Sequence, residues 1–593
     1  MIPTFRILVL LVVALPLVSA AVVPLFGRSA RRAALLLALV HAGVTAAVVA
    51  GALPALNQRG EHVQPGRVFE YQKFSPEFVP GDPGVTDTDT STHRTRWTLL
   101  NLGDTPPDKA GPRIQFYLGV DGLNVWLLAL CSLMVIPAVL VSWEAVADRP
   151  GPFYGWLFVL QAGAIGAFLS FDVILFYAFF ELTLIPSFFL IGRWGGGAAR
   201  RDAARTFFLY TLGGSLLTLV GVVGVVLTNP LPDGRFTFEL PELMAAVQRN
   251  MDGAFAESLR AGDAGPLAEK QNLQFWLFVC LIAGFMVKVP VWPFHTWLPA
   301  AYREAPIGVT LLLSALLAKL GTFGLLRFVL PLTPDAAVAY GLPVVGVLAG
   351  VGIVYGALCA YAARDIKMMI AYSSLSHLGF LVLGLLAFNR EGVSGATLHM
   401  VNHGVSTGAL FALLAFLLDR YRTTDMRLYG GLMGRFPRFA VLAFVLCLAS
   451  IGLPGLNNFV SEMLMLAGLF DARNPRADGF WFAVVAAVGI FLSAWYVLTM
   501  LRRVFFGPLI EPPATAAEPV RDADGREVVA FGGLAAVCLL LGLCPQVVLD
   551  PIEADAAAVA AIGDAARDRV SGTAPRLEDT LPAGTIAPAA ENR

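Results

Sequence analysis

Charge is scarce in this chain. Of its 593 residues only 14% are Asp, Glu, Lys or Arg, while 57% are hydrophobic. A soluble domain carries about 25% charged residues, so the balance implies a polytopic membrane protein. Neither sign is in excess. The formal net charge of −1 argues against a nucleic-acid partner, which calls for a basic footprint. Cysteine is also sparse. Cys131, Cys280, Cys359, Cys447, Cys538 and Cys544 all lie in apolar runs. Their spacing matches no zinc or iron–sulfur pattern, so they read as packed thiols. No G-x-G-x-x-G opens a helix after a strand, and the glycines of GGSLLTLVG lack the Gly-Lys-Ser/Thr of a P-loop. No two carboxylates sit together to cage a hard cation. Two histidines without a nearby Cys or carboxylate make a poor transition-metal site. Neither a bound cofactor nor a metal is therefore expected in this chain.

Apolar runs are what the chain has in quantity. A membrane-spanning helix needs about 20 apolar residues. Fourteen runs qualify: 4–25, 33–54, 119–142, 152–170, 172–192, 206–228, 274–296, 306–330, 338–361, 367–387, 394–418, 437–471 with a break, 479–501 and 528–549. The fold class expected is an all-α polytopic membrane protein. The first run has a signal-like Val18-Ser19-Ala20, but Arg6 is its only flanking charge and it is long enough to span. Polar segments at 55–115, 229–272 and 550–593 interrupt or follow the spans. They read as an extracytoplasmic loop insertion, a mixed loop with helix-like ELPELMAAVQ, and a polar C-terminal tail. The run GGGAARRDAAR reads as a flexible linker in a basic loop.

Arginine and lysine crowd one set of alternate short loops, at Arg28, Arg31 and Arg32, at Arg193, Arg200, Arg201 and Arg205, at Arg364 and Lys367, at Arg420–Arg438, and at Arg502 and Arg503. The positive-inside bias makes that set cytoplasmic. With an even number of spans, both termini and the 55–115 loop lie on the opposite side.

Two spans carry helix breakers. The seventh stops at KVPVWP, where Pro290 and Pro293 remove backbone donors just after Lys288. The twelfth stops at GLPGLNN, with Glu462 just beyond. The breaks are five spans apart. Five is odd, so a five-helix repeat would be inverted in the membrane, an arrangement that points to an ion or substrate path near the midplane.

Six ionisable residues fall deep within spans or beside these breaks: Glu181, Lys288, Lys319, His377, His403 and Glu462. His399 lies one turn before His403 on the same face. No other acidic or basic group is expected so deep. A charge at mid-bilayer costs about 2.5–3.5 kcal/mol on insertion scales, which makes each a functional candidate. The bland alternatives are structural ion pairs for Glu and Lys, and interhelical hydrogen bonds for the histidines. Burial disfavours a charged amine and a neighbouring carboxylate favours it. Carboxylate, amine and imidazole at one depth can therefore store and pass protons.

The stretches FYLGVDGLNVWLL (116–128), FYAFFELTLIPSFFLIGRWG (176–195), KVPVWPFHTWLPAAYREAP (288–306), LLAKLGTFGLLRF (316–328), DIKMMIAYSSLSHLGF (365–380), MVNHGVSTGALF (400–411) and GLPGLNNFVSE (452–462) resemble the antiporter-like membrane subunits of the bacterial proton-pumping NADH–quinone oxidoreductase, respiratory complex I. The resemblance covers most of 116–505. It implies about 14 transmembrane helices, with two inverted five-helix repeats in 152–330 and 338–503 and broken seventh and twelfth helices. It implies a proton relay in which Glu181 pairs with Lys288, Lys319 connects, His377 and His403 line the axis, and Glu462 marks the exit. Glutamate in the twelfth span, lysine in the eighth and the absence of a long lateral helix resemble the M-type subunit. The relay would be driven by quinone reduction elsewhere, with quinone, FMN and iron–sulfur clusters in partner subunits and neighbouring antiporter-like subunits as partners in the bacterial cytoplasmic membrane. A multi-subunit cation/proton antiporter, or a hydrogenase- or ferredoxin-linked pump, uses the same module and stays open as an alternative. The 55–115 segment and the tail are longer than the family pattern, and Thr206 follows Arg205 where relatives place a base just before the FF-Y-T run.

Overall fold

A backbone in hydrocarbon must satisfy its own N–H and C=O groups, which leaves the helix as the form an isolated apolar run can take. The computed structural model, which describes residues 2–61, 95–101, 113–262, 265–513 and 520–572, is accordingly a bundle of helices. In chain order these are α1 (Ile2–Val22), α2 (Ala30–Glu61), α3 (Val125–Val141), α4 (Pro150–Leu169), α5 (Val173–Leu182), α6 (Leu184–Trp194), α7 (Arg200–Thr228), α8 (Leu240–Ala261), α9 (Gly265–Lys288) and α10 (Trp297–Glu304). They continue as α11 (Ile307–Leu332), α12 (Pro334–Ala362), α13 (Ile366–Leu386), α14 (Arg390–Tyr421), α15 (Pro437–Ser450), α16 (Asn457–Phe470), α17 (Gly479–Phe505), α18 (Gly525–Leu543) and α19 (Gln546–Ser571).

Among the described residues, eleven helical stretches are long and apolar enough to cross a membrane. The expected fourteen do not all meet that measure. The first stretch, Phe5–Gln58, takes in both α1 and α2, and α3 and α15 are shorter apolar helices. Among the described residues, strand is confined to small antiparallel pairs: β1 (Thr95–Asn101) with β2 (Arg113–Leu118), and β3 (Arg473–Asn474) with β4 (Ala477–Asp478).

The core sits around α11, whose apolar stretch is wholly buried, and around α13 and α14, nearly so. The apolar stretches in Phe5–Gln58, α17 and α18 are mostly not fully buried. The central helices carry Lys319, His377, His399 and His403. α11 is wound loosely on both sides of Lys319, with π-helical turns at Leu313–Leu317 and Leu325–Val329.

Several polar stretches are more ordered than their composition implies. The hairpin's β1 and the start of β2 lie in the 55–115 segment expected as a loop insertion, and β2 runs on to Leu118, with Trp97, Leu99 and Leu100 exposed. The glycine-rich linker is tied down: Gly196 N donates to Glu304 O at 3.0 Å and the Arg200 guanidinium to Gly195 O at 2.9 Å. The last span ends at Leu543, and α19 occupies much of the segment expected as a polar tail. Its alanine-rich core favours helix, and Val548, Ile552, Val559 and Ile562 pack inward. α19 is also pinned by charge. Arg569 donates to Asp335 and Asp252, each at 2.6 Å, and Asp555 accepts from Gly122 N at 2.7 Å. Residues 573–593 of that tail lie outside the described residues.

The expectation of no further deep charge fails at Asp121 and Arg327. Both are buried and paired at 2.5 Å, with Arg327 also against the Phe171 and Phe323 rings. The pair joins the entry to α3 to the far end of α11. Lys367, at the start of α13, is buried too and donates to Arg303 O at 3.0 Å and Ala305 O at 2.6 Å, the carbonyls that close α10.

Candidate proton-relay site

The seventh span breaks because Pro290 and Pro293 cannot donate. Val291 N turns to Met286 O at 3.0 Å, and the freed Val287 carbonyl accepts from the Trp297 indole at 2.9 Å. α9 therefore ends with Lys288 pointing into protein, 2% exposed.

The fifth span has a break the sequence reading missed. Pro186 has no N–H for the Leu182 carbonyl, and the helix is interrupted between α5 and α6 at Thr183. The Thr183 hydroxyl donates to Phe180 O at 2.7 Å, which leaves it an acceptor for Lys288 Nζ at 3.5 Å. The amine also lies 3.9 Å from the centroid of the Phe180 ring, and a desolvated contact of that kind is worth up to about 2 kcal/mol. Glu181 is half-buried and forms no ion pair with Lys288. Its Oε1 is buried with no hydrogen-bond partner among the described residues.

The other candidates form one cluster. Lys319, fully buried, places Nζ 2.6 Å from His403 Nδ1 and donates to Ser314 O at 2.8 Å. The His403 and His377 rings are 5.6 Å apart, and His377 Nδ1 is 3.8 Å from Glu462 Oε1. His399 stands beside both rings, at 5.8 Å from His403 and 6.0 Å from His377. Lys319, His403, His377 and Glu462 thus stand side by side in series, with a hydrogen bond between the first two, whereas Lys288 and Glu181 lie apart, with no hydrogen bond to the series among the described residues.

Hydrogen-bond accounting assigns roles here. An ammonium can only donate, so with Lys319 protonated His403 Nδ1 accepts and its Nε2 carries the proton. Ser461 donates its one hydroxyl proton to Asn458 O at 2.8 Å, so His399 Nδ1 donates to Ser461 at 3.0 Å and its Nε2 accepts. Both Nε2 atoms are buried without a hydrogen-bond partner among the described residues.

Glu462 reaches the histidines because the twelfth span is broken. α15 stops at Ser450, and Gly452 takes φ 68° beside the carboxylate, where a Cβ would collide with Glu462. Asn457 and Asn402 exchange side-chain to backbone bonds at 2.6 and 2.9 Å, which lock the break to α14. The sequence argument against a metal rested on histidines lacking a carboxylate. The fold supplies one: ligand atoms of His377, His399 and Glu462 lie within 4.8 Å of one another, a set able to hold a cation.

A family model described as NADH:quinone oxidoreductase/Mrp antiporter, TM matches residues 170–493, which include all six candidates. The chain belongs to that family. The NADH-quinone oxidoreductase subunit M of Rhodobacter capsulatus is 38% identical over 439 residues, 74% of this chain and 81% of the relative. A chain in respiratory complex I from Thermus thermophilus with bound NADH superposes with a TM-score of 0.71 at 29% identity, covering 94% of this chain and 99% of that one. A chain of the Mrp complex from Dietzia sp. DQ12-45-1b shares the fold at a TM-score of 0.67 and 20% identity, over 96% and 98% of the two chains. Family membership makes this a membrane subunit with subunit partners.

Proposed function

We propose that this chain is the M-type proton-translocating membrane subunit of a respiratory NADH–quinone oxidoreductase. It holds no redox centre of its own. FMN, iron–sulfur clusters and quinone belong to partner subunits, and its neighbours are other antiporter-like subunits in the bacterial cytoplasmic membrane, with both termini outside the cytoplasm. The observation that carries the reading is the buried series Lys319, His403, His377 and Glu462, spaced by contacts of 2.6 and 3.8 Å and a ring separation of 5.6 Å. A static ion pair would need two such groups, not four.

The proton is loaded at Lys288. An ionised Glu181 nearby holds it there, and a neutralised or displaced Glu181 releases it. Lys319 receives it and delivers it to His403, whose free Nδ1 lone pair faces the amine. Water bridging the buried Nε2 atoms carries it to His377 and on to Glu462. The energy comes from quinone reduction elsewhere, which reaches this chain as a change in the Glu181–Lys288 pair.

The test is Lys288→Ala in the assembled complex, in inverted membrane vesicles oxidising NADH. Proton uptake per quinone reduced should fall sharply. Full stoichiometry in that variant sinks the assignment. The cation/proton antiporter reading draws on the shared Mrp fold, and sodium-dependent proton movement without NADH or quinone would favour it.

A further inference from the structure

The basic end of α6 and α7 plays no part in the relay. Between Trp194 and Arg200 the chain turns back and leaves a cavity of about 510 Å³. Arg193, Arg200, Arg201 and Arg205 line it together with Phe188 and Phe189. Asp148 is the one carboxylate in the lining. Asp202 pairs loosely with Arg205 at 3.6 Å, both side chains largely exposed. The positive-inside bias asks for arginine somewhere in such a loop. It does not ask four arginines to line one cavity.

Two further features specify what the cavity takes. The planar, forked guanidinium matches phosphate oxygens. The floor is apolar and continues outward along the same two helices, where Ile185, Phe189 and Leu209 are 46%, 42% and 67% exposed. A free anion has no use for that surface. An amphiphile has: its head fits among the arginines and its chains lie along α6 and α7. Trp194 under the Arg193 guanidinium, at 5.4 Å, is the aromatic expected at the headgroup level.

We propose that this cavity binds one anionic phospholipid, its phosphate held by Arg200, Arg201 and Arg205 with Arg193 at the rim, and its acyl chains against Phe189, Ile185 and Leu209. Nothing in the relay depends on this site, so its failure leaves the proposed function intact.

The test uses the whole purified complex in nanodiscs doped with a diazirine-bearing phosphatidylglycerol. After photolysis, peptides covering 185–210 should carry label in preference to other lipid-facing peptides of this chain. A phosphatidylcholine analogue should label them weakly, and excess inorganic phosphate should not compete. The Arg200→Gln/Arg201→Gln double variant should lower labelling about tenfold or more, since each basic residue near a phosphate surface contributes on the order of a few-fold in binding. If the double variant fails to assemble, the wild-type peptide map decides alone. Equal labelling by the two lipids, label confined elsewhere, or displacement by inorganic phosphate, which marks a free-anion site, each overturns the proposal.

Discussion

The two broken helices present their ionisable groups in opposite ways. At the seventh span Lys288 is loosely held, by one hydroxyl at 3.5 Å and the face of Phe180. Its acidic partner is half-buried and does not touch it. Around the twelfth span the groups are close-set: Lys319 against His403 at 2.6 Å, His399 bonded to Ser461, Glu462 fitted against Gly452. A loosely held amine can respond to a neighbour's charge. A close-set cluster transmits with little freedom to respond. In the proposed relay, the first would be where a proton is controlled and the second where it is conducted.

That contrast can be broken by substitution. The largest effect belongs to the conducting side. Lys319→Met should reduce proton uptake per quinone by more than tenfold, and Lys319→Arg should do nearly as badly, because a larger cation in a fully buried, 2.6 Å site is overpacked. Lys288→Arg should keep a measurable share of pumping, because its surroundings are looser. Equal tolerance of arginine at both positions would erase the distinction.

The next effect is on stability. Asp121→Asn leaves Arg327 buried beside a weaker partner, and the loss of one half of a buried pair costs about 3–5 kcal/mol. The chain should melt or detach from the purified complex at lower temperature, while the pumping ratio of the surviving complex holds. A changed ratio would place this pair in the relay.

Thr183→Val tests the loose site. It removes the acceptor beside Lys288, worth about 0.5–1.5 kcal/mol, and a fall of a few-fold in turnover is expected, larger than for a similar change at Ser187. The smallest effect should come from Asp555→Asn, which weakens one bond from α19 to Gly122 and should shift thermal stability by about 1 kcal/mol without altering proton uptake.

Much of the site was legible because hydrocarbon makes charge and proline conspicuous. Lys288, Lys319 and Glu462 stand out in apolar runs, and Pro290 and Gly452 mark the breaks beside them. What the chain does not write down is direction around each helix. His399 reads as a spectator one turn from His403, yet it completes the histidine group. Glu462 reads as the end of the axis, but its direct approach to His377 is not written locally, because nothing there says which way a broken helix will point. Arg327 was overlooked in LLRFVL because its partner, Asp121, is far away in sequence, at the very start of another span. α19 was missed because alanine-rich, charge-dotted sequence resembles a tail until Asp335 and Gly122 are seen beside it.

Lys367 has a mechanical consequence. Its side chain clamps the last carbonyls of α10, the short helix that follows the Lys288 break, and its own helix, α13, bears His377. A strut therefore runs from the point of control to the point of conduction. A displacement of the KVPVWP segment would be passed through this side chain to α13.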